Sequence, residues 1–129
     1  MSYTIGIGVD LVDVPAFSDQ LADTASGFVD GTFTAGEQRA AKGEPHRLAA
    51  RFAAKEAFVK AWSGSRRGQP PALASVDLRE IEVVDDGYGR PALALHGEVE
   101  RAVGPDVRAH VSLSHDGPAA IAFVILERA

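Results

Sequence analysis

Residues 47–63 read RLAARFAAKEAFVKAWS, and the fold is decided here. The stretch holds neither Gly nor Pro and is dominated by good helix formers, so it predicts one long helix of roughly four to five turns. At 100° per residue, Leu48, Phe52 and Val59 gather on one stripe, as a core-facing seam does. Beside the seam, Ala49, Ala53 and Ala57 form a smooth strip holding Glu56 and Lys60. These two are i,i+4 neighbours with the glutamate N-terminal, the favourable order for an ion pair. A solvated pair on an ordinary amphipathic helix fits these residues. So does a site, because alanines leave the helix surface low enough for a bulky group to lie across it. The carboxylate would then hold a cation while the ammonium meets a phosphate.

Upstream, residues 4–14 (TIGIGVDLVDV) alternate as a strand: Ile5, Ile7, Val9 and Leu11 face one way, Thr4, Gly6, Gly8, Asp10 and Val12 the other. Asp10 thus lies on a face that two glycines strip of side chains. Such glycines mark close approach by a ligand or by another backbone. Pro15 suits the first turn of a helix across 15–22. Residues 23–32 are expected to be loop. Thr34 and Glu37 have capping-box spacing for a short helix across 37–41.

Downstream, Ser63-Gly64-Ser65 is expected to close the long helix, and 75–78 to form a short strand. Residues 80–85 and 91–96 flank a Gly-rich turn as a hairpin, and 98–103 form a short helix. Residues 107–114 alternate again. Residues 119–126 are an unbroken apolar run, expected to be a central strand covered on both faces. The expected fold is one α+β domain spanning 1–129, with a largely antiparallel sheet packed on one long helix.

The net charge of −5 conceals an asymmetry. Residues 39–67 carry eight Lys and Arg against two Glu, a local +6, which leaves −11 for the remainder. Residues 1–38 contain no Lys or Arg. A basic segment in an acidic chain suits an anionic ligand met locally, or equally the chain's own acidic surfaces. Overall acidity argues against a nucleic-acid partner. The absence of cysteine excludes disulfides and thiolate metal sites. With no signal-like N-terminus and no apolar stretch of spanning length, a soluble cytoplasmic protein with no membrane partner is expected.

Asp10 and Glu56 are the carboxylates in the least crowded settings. Two carboxylates leave much of an octahedral shell open, which suits Mg²⁺ completed by water and substrate phosphates. Lys60, one turn beyond Glu56, could neutralise a phosphate bridged by that metal. His110 and His115 at a strand end fit ordinary core-edge histidines. Ser112 and Ser114 lack a nucleophile elbow, and no phosphate-binding loop sequence occurs.

Four segments in order, GIGVDLVDV (6–14), FTAGE (33–37), RFAAKEAFVKA (51–61) and HVSLSHD (110–116), together resemble the holo-[acyl-carrier-protein] synthases, small 4′-phosphopantetheinyl transferases. The closing AIAFVILE is similar to that family's last strand. The resemblance implies Mg²⁺-dependent transfer of phosphopantetheine from coenzyme A to a serine of an acyl carrier protein, or of a fatty acid synthase carrier domain. It implies Asp10 and Glu56 as metal ligands, Lys60 near the diphosphate, Arg51 and His110 at the nucleotide end, and a homotrimer with sites between subunits. Glu56 and Lys60 would be the catalytic pair. On one helix Arg51 and Glu56 point about 140° apart, which a site shared between subunits, or a long ligand, would accommodate. A non-catalytic module that binds coenzyme A, and a metal-dependent phosphohydrolase, remain as alternatives from these residues. At Ala16 the chain departs from the family, which commonly has an arginine there to dock the carrier.

Overall fold

The computed structural model describes residues 1–129. In chain order its elements are β1 (Tyr3–Asp13), α1 (Val14–Ala22), α2 (Phe28–Thr32), α3 (Ala35–Ala41) and α4 (Pro45–Ser65). There follow β2 (Ile81–Asp85), β3 (Pro91–Leu95), α5 (Gly97–Val103), β4 (Val107–Asp116) and β5 (Ala119–Arg128). Every strand pairing is antiparallel, in a three-stranded sheet of order β1-β5-β4 and a separate β2–β3 hairpin. This is the α+β arrangement expected.

The long helix α4 is the axis of the molecule. It starts earlier than the sequence pattern suggests because Pro45 occupies its first turn, where a missing N–H is harmless. Ser63-Gly64-Ser65, expected to close it, form its last turn instead.

The buried face of α4 differs from the stripe read at Leu48, Phe52 and Val59. Ala49, Ala50, Ala53, Ala54, Ala57 and Ala61 are all buried, with Leu48, Phe58 and Trp62, whereas Phe52 and Val59 are only half-buried. The alanine strip is therefore not open ground for a ligand. β1 lies across it, and Gly6 and Gly8 are what let it approach. A methyl group added at Gly8 would fall 1.9 Å from the carbonyl oxygen of Ala57, and one at Gly6 would fall 2.1 Å from that of Ala61. Of the two explanations the glycines allowed, close approach of a backbone is the one realised.

β5 is central, but the expectation that both its faces are covered is not met within the chain. Ala120, Ala122, Val124 and Leu126 are buried under α4. The opposite face leaves Ile7 61% and Leu11 68% exposed, joined by Val9, Ile121 and Phe123. An unbroken apolar run signals two covered faces, and this chain covers only one of them.

A second apolar cluster seats α1 on the N-terminal half of α4. Phe17 stacks on Phe52 at 5.4 Å between ring centroids, with Phe28 and Phe33 around them. The stretch 23–32, expected to be loop, contains a 3₁₀ turn (Thr24–Ser26) and α2, whose Phe28 joins this cluster. The strand expected at 75–78 is absent; a 3₁₀ turn (Leu78–Glu80) leads into β2 instead. The capping box at Thr34 and Glu37 forms as expected.

Candidate active site

Asp10 reaches the candidate site from the glycine face of β1, and Glu56 from the side of α4 next to the alanine contact. Both line one open cleft, walled by Val12, Ala16, Phe17 and Phe52. Asp13 shapes the near wall, accepting from the Ala16 amide at 3.1 Å to cap α1, with Pro15 in that helix's first turn. Lys60, one turn along α4 from Glu56, donates to Asp10 Oδ1 at 2.9 Å and to the Val9 carbonyl at 3.1 Å. The ion pair expected between Glu56 and Lys60 is thus made by Asp10 instead. Asp10, Glu56 and Lys60 come together as the sequence suggested.

Burial raises the Glu56 carboxyl above its ordinary pKa of 4.5, and the Asp10 charge raises it further, while Lys60 pulls it back. Two carboxylates in one cleft with a single ammonium carry unbalanced negative charge. A divalent cation fits that donor set, since both ligands are hard oxygens and most of an octahedral shell stays free.

The proton linkage at Glu56 gives a prediction. Because its folded pKa is raised, this group's contribution to stability is fully present below 4.5 and is lost as pH rises through the raised value. Cation binding needs the ionised form, so it strengthens over the same rise. Carboxyl-carbon NMR of the protein without Mg²⁺ should show Glu56 titrating above 4.5, and lower in Asp10→Asn than in the parent. Added Mg²⁺ should move the parent midpoint downward.

Arg51 and His110 are not brought into this cleft. Arg51 is buried on another side of α4, donating to Asp85 at the end of β2. His110 stands half-exposed on the open face of β4, 3.9 Å from Glu127. Four of the basic segment's eight cations are answered by the chain's own carboxylates: Arg47 pairs with Glu44, Arg51 with Asp85, Lys55 with Glu37 and Lys60 with Asp10.

The Lys55–Glu37 pair, missed from sequence, holds the site's frame. Both side chains are fully buried, 2.7 Å apart. Lys55 also donates to the carbonyls of Leu78 and Ile81, and Glu37 accepts from the amides of Thr34 and Val83. The pair locks α3, α4 and β2 together, and burial lowers the Lys55 pKa against the pull of Glu37. A signal existed: Lys55, Phe58 and Trp62 have i,i+3,i+7 spacing and share one face of α4.

Residues 6–123 match the family model of the 4′-phosphopantetheinyl transferase superfamily. The chain belongs to this superfamily. Among relatives of the transferase, the holo-[acyl-carrier-protein] synthase of Mycobacterium ulcerans is 47% identical over 127 residues, 95% of this chain and 96% of that one. An ACPS–CoA complex from Chronobacterium ammoniagenes superposes with a TM-score of 0.90 at 42% identity, covering 96% of this chain and 97% of that one. The acyl carrier protein synthase of Mycobacterium tuberculosis gives 0.84 at 45% identity, covering 98% and 100%. No helix of this transferase is long and apolar enough to cross a membrane.

Proposed function

We propose that this protein transfers the 4′-phosphopantetheine group of coenzyme A to a serine of an apo acyl carrier protein or of a fatty acid synthase carrier domain, releasing adenosine 3′,5′-bisphosphate. The observation that carries the proposal is the convergence of Asp10, Glu56 and Lys60 at one open cleft in a member of this superfamily. Asp10 and Glu56 would hold Mg²⁺. When bound, the metal supplies neutralisation of charge on the diphosphate oxygens.

The chain's own groups divide the remaining work. The Lys60 ammonium is more than half exposed, so it can turn a donor to a phosphate oxygen while keeping Asp10. The carrier serine oxygen bonds to the phosphorus that bears pantetheine, and the bond from that phosphorus to the nucleotide phosphate breaks. The serine proton passes to Glu56 through a water. Beyond Lys60 along α4, a hollow lined by Val59, Trp62, Ser63, Arg66, Leu73 and Val76 gives an extended ligand room to continue. Incubation of an apo carrier with the protein, coenzyme A and Mg²⁺ should add the mass of phosphopantetheine. A carrier unchanged in mass, with coenzyme A bound, would leave the non-catalytic module.

A homotrimer of one-domain chains completes the proposal. It is supported by the open face of Ile7, Val9, Leu11, Ile121 and Phe123, and by Arg51 and Glu56 pointing to different sides of α4. His110, on that same open face, would then reach a neighbour's ligand. Arg51→Ala and Glu56→Ala chains, each inactive alone, should regain activity when refolded together, because some interfaces receive both intact residues. No recovery in a verified mixed oligomer would show that both residues serve the site from one chain.

Carrier docking should rely little on α1 cations. Asp13, which lines the cleft, is exposed, as are Asp19 on α1 and Asp23 just after it, and Ala16 offers no charge. An arginine there would form an exposed ion pair worth about 0.2–1 kcal/mol. Ala16→Arg should accordingly raise kcat/KM for an acidic carrier by about two- to five-fold at low salt, fading as salt screens it. The ratio of kcat/KM at two ionic strengths measures this, and no gain at low salt would place the carrier's approach away from α1.

A further inference from the structure

Arg51 is held in a way that the cleft does not explain. Its side chain is 8% exposed, with Nη1 donating to the Arg47 carbonyl at 3.2 Å and Nη2 to Asp85 Oδ2 at 2.9 Å. Its Nε is buried with no partner at all. A guanidinium has five N–H hydrogens. Two are engaged and the Nε hydrogen has no partner, which leaves one on each Nη. Such a pair matches two oxygens of one phosphate.

The Arg47 carbonyl belongs to Arg51's own helix and would not stop the side chain swinging into solvent. Asp85 can. It ends β2, opposite Pro91, at the turn end of the β2–β3 hairpin. That hairpin's turn is cross-tied by Asp86, which accepts from the Tyr88 and Arg90 amides and from Arg90 Nε. The carboxylate therefore stands on a braced platform, on a different element from the side chain it grips.

We infer that Asp85 is a positioning residue for coenzyme A. It fixes the Arg51 guanidinium so that the two free Nη hydrogens face a phosphate at the nucleotide end of the ligand. The inference rests on the proposed binding of coenzyme A with Arg51 at that end. Asp85 itself touches no ligand, and its charge opposes an anion while its geometry helps one. Asparagine separates the two effects, because it keeps the accepting oxygen and drops the charge.

The test is calorimetric binding of coenzyme A to the intact oligomer, beside KM for coenzyme A and kcat at saturating carrier. Asp85→Ala should weaken coenzyme A about ten-fold in both affinity and KM, with kcat and the carrier's KM within about two-fold. Asp85→Asn should stay within about two-fold of the parent, which a purely electrostatic role would not allow. In an Arg51→Ala background, Asp85→Ala should add nothing further. Melting curves confirm folding, and Asp85→Ser replaces the alanine variant if that one is unfolded. Unchanged or tighter binding in Asp85→Ala, or a loss that adds fully to that of Arg51→Ala, would overturn the inference alone. A parent protein that binds no coenzyme A would overturn the proposed function together with it.

Discussion

Glu56→Ala should lower the transfer rate about a thousand-fold, the scale expected when several kcal/mol of transition-state charge stabilisation is removed. Glu56 stands to lose two roles at once, metal ligand and proton acceptor, so neither Asp10 nor Lys60 can replace it. Its stability should move the other way. The raised pKa means that the folded protein bears an ionised Glu56 reluctantly at neutral pH, so alanine should leave the melting temperature unchanged or slightly higher. Asp10→Ala should be equally inactive, though it frees the Lys60 ammonium from its partner. Single-turnover transfer followed by mass spectrometry, beside a thermal melt, separates these quantities. Transfer near the parent rate in a folded Glu56→Ala chain would remove both the metal and the proton assignment.

The second large effect is structural. Lys55→Met should destabilise the protein by about 3–5 kcal/mol, because it leaves the fully buried Glu37 carboxylate without its cation. In a chain of this size that corresponds to a fall of roughly 10 °C or more in melting temperature. Replacing both partners by apolar residues is often harmless for a buried pair. Here it should not be. The carbonyl of Ile81 and the amides of Thr34 and Val83 also depend on the pair, and an apolar double variant would orphan all three, while the Leu78 carbonyl keeps the Ile81 amide. Denaturant unfolding of the two single variants and the double variant measures this, and a double variant as stable as the parent would show that the frame does not need the pair.

The elements with local signatures were legible in the sequence: the long helix by its length, the capping box at Thr34 and Glu37, the hairpin by its turn, and β4 by alternation. So were Asp10, Glu56 and Lys60, because each sits in a small-residue setting that makes it conspicuous. The remainder depended on partners distant in the chain. A strip of alanines looks the same whether it faces a ligand or a strand, and the deciding strand lies some fifty residues away. Helix α2 is five residues long, begins at a left-handed Gly27 and has no side-chain cap, so nothing local announces it. The grip of Asp85 on Arg51 spans 34 residues, and no periodicity connects them. The uncovered face of β5 escaped notice because an apolar run reports the need for cover and not who supplies it.

The contact of Gly6 and Gly8 with Ala57 and Ala61 also sets a gauge. Strand and helix touch there through their main chains, with no layer of side chains between them. Side-chain layers yield when rotamers change; main-chain atoms in contact do not. Asp10 lies two residues along from Gly8, and Glu56 is the neighbour of Ala57. The roots of the two carboxylates are therefore spaced by the thickness of peptide backbone, which no change of rotamer can alter. Adjustment to an ion or a phosphate then falls to the torsions of Glu56 and Lys60, while sheet and helix act as one rigid jaw.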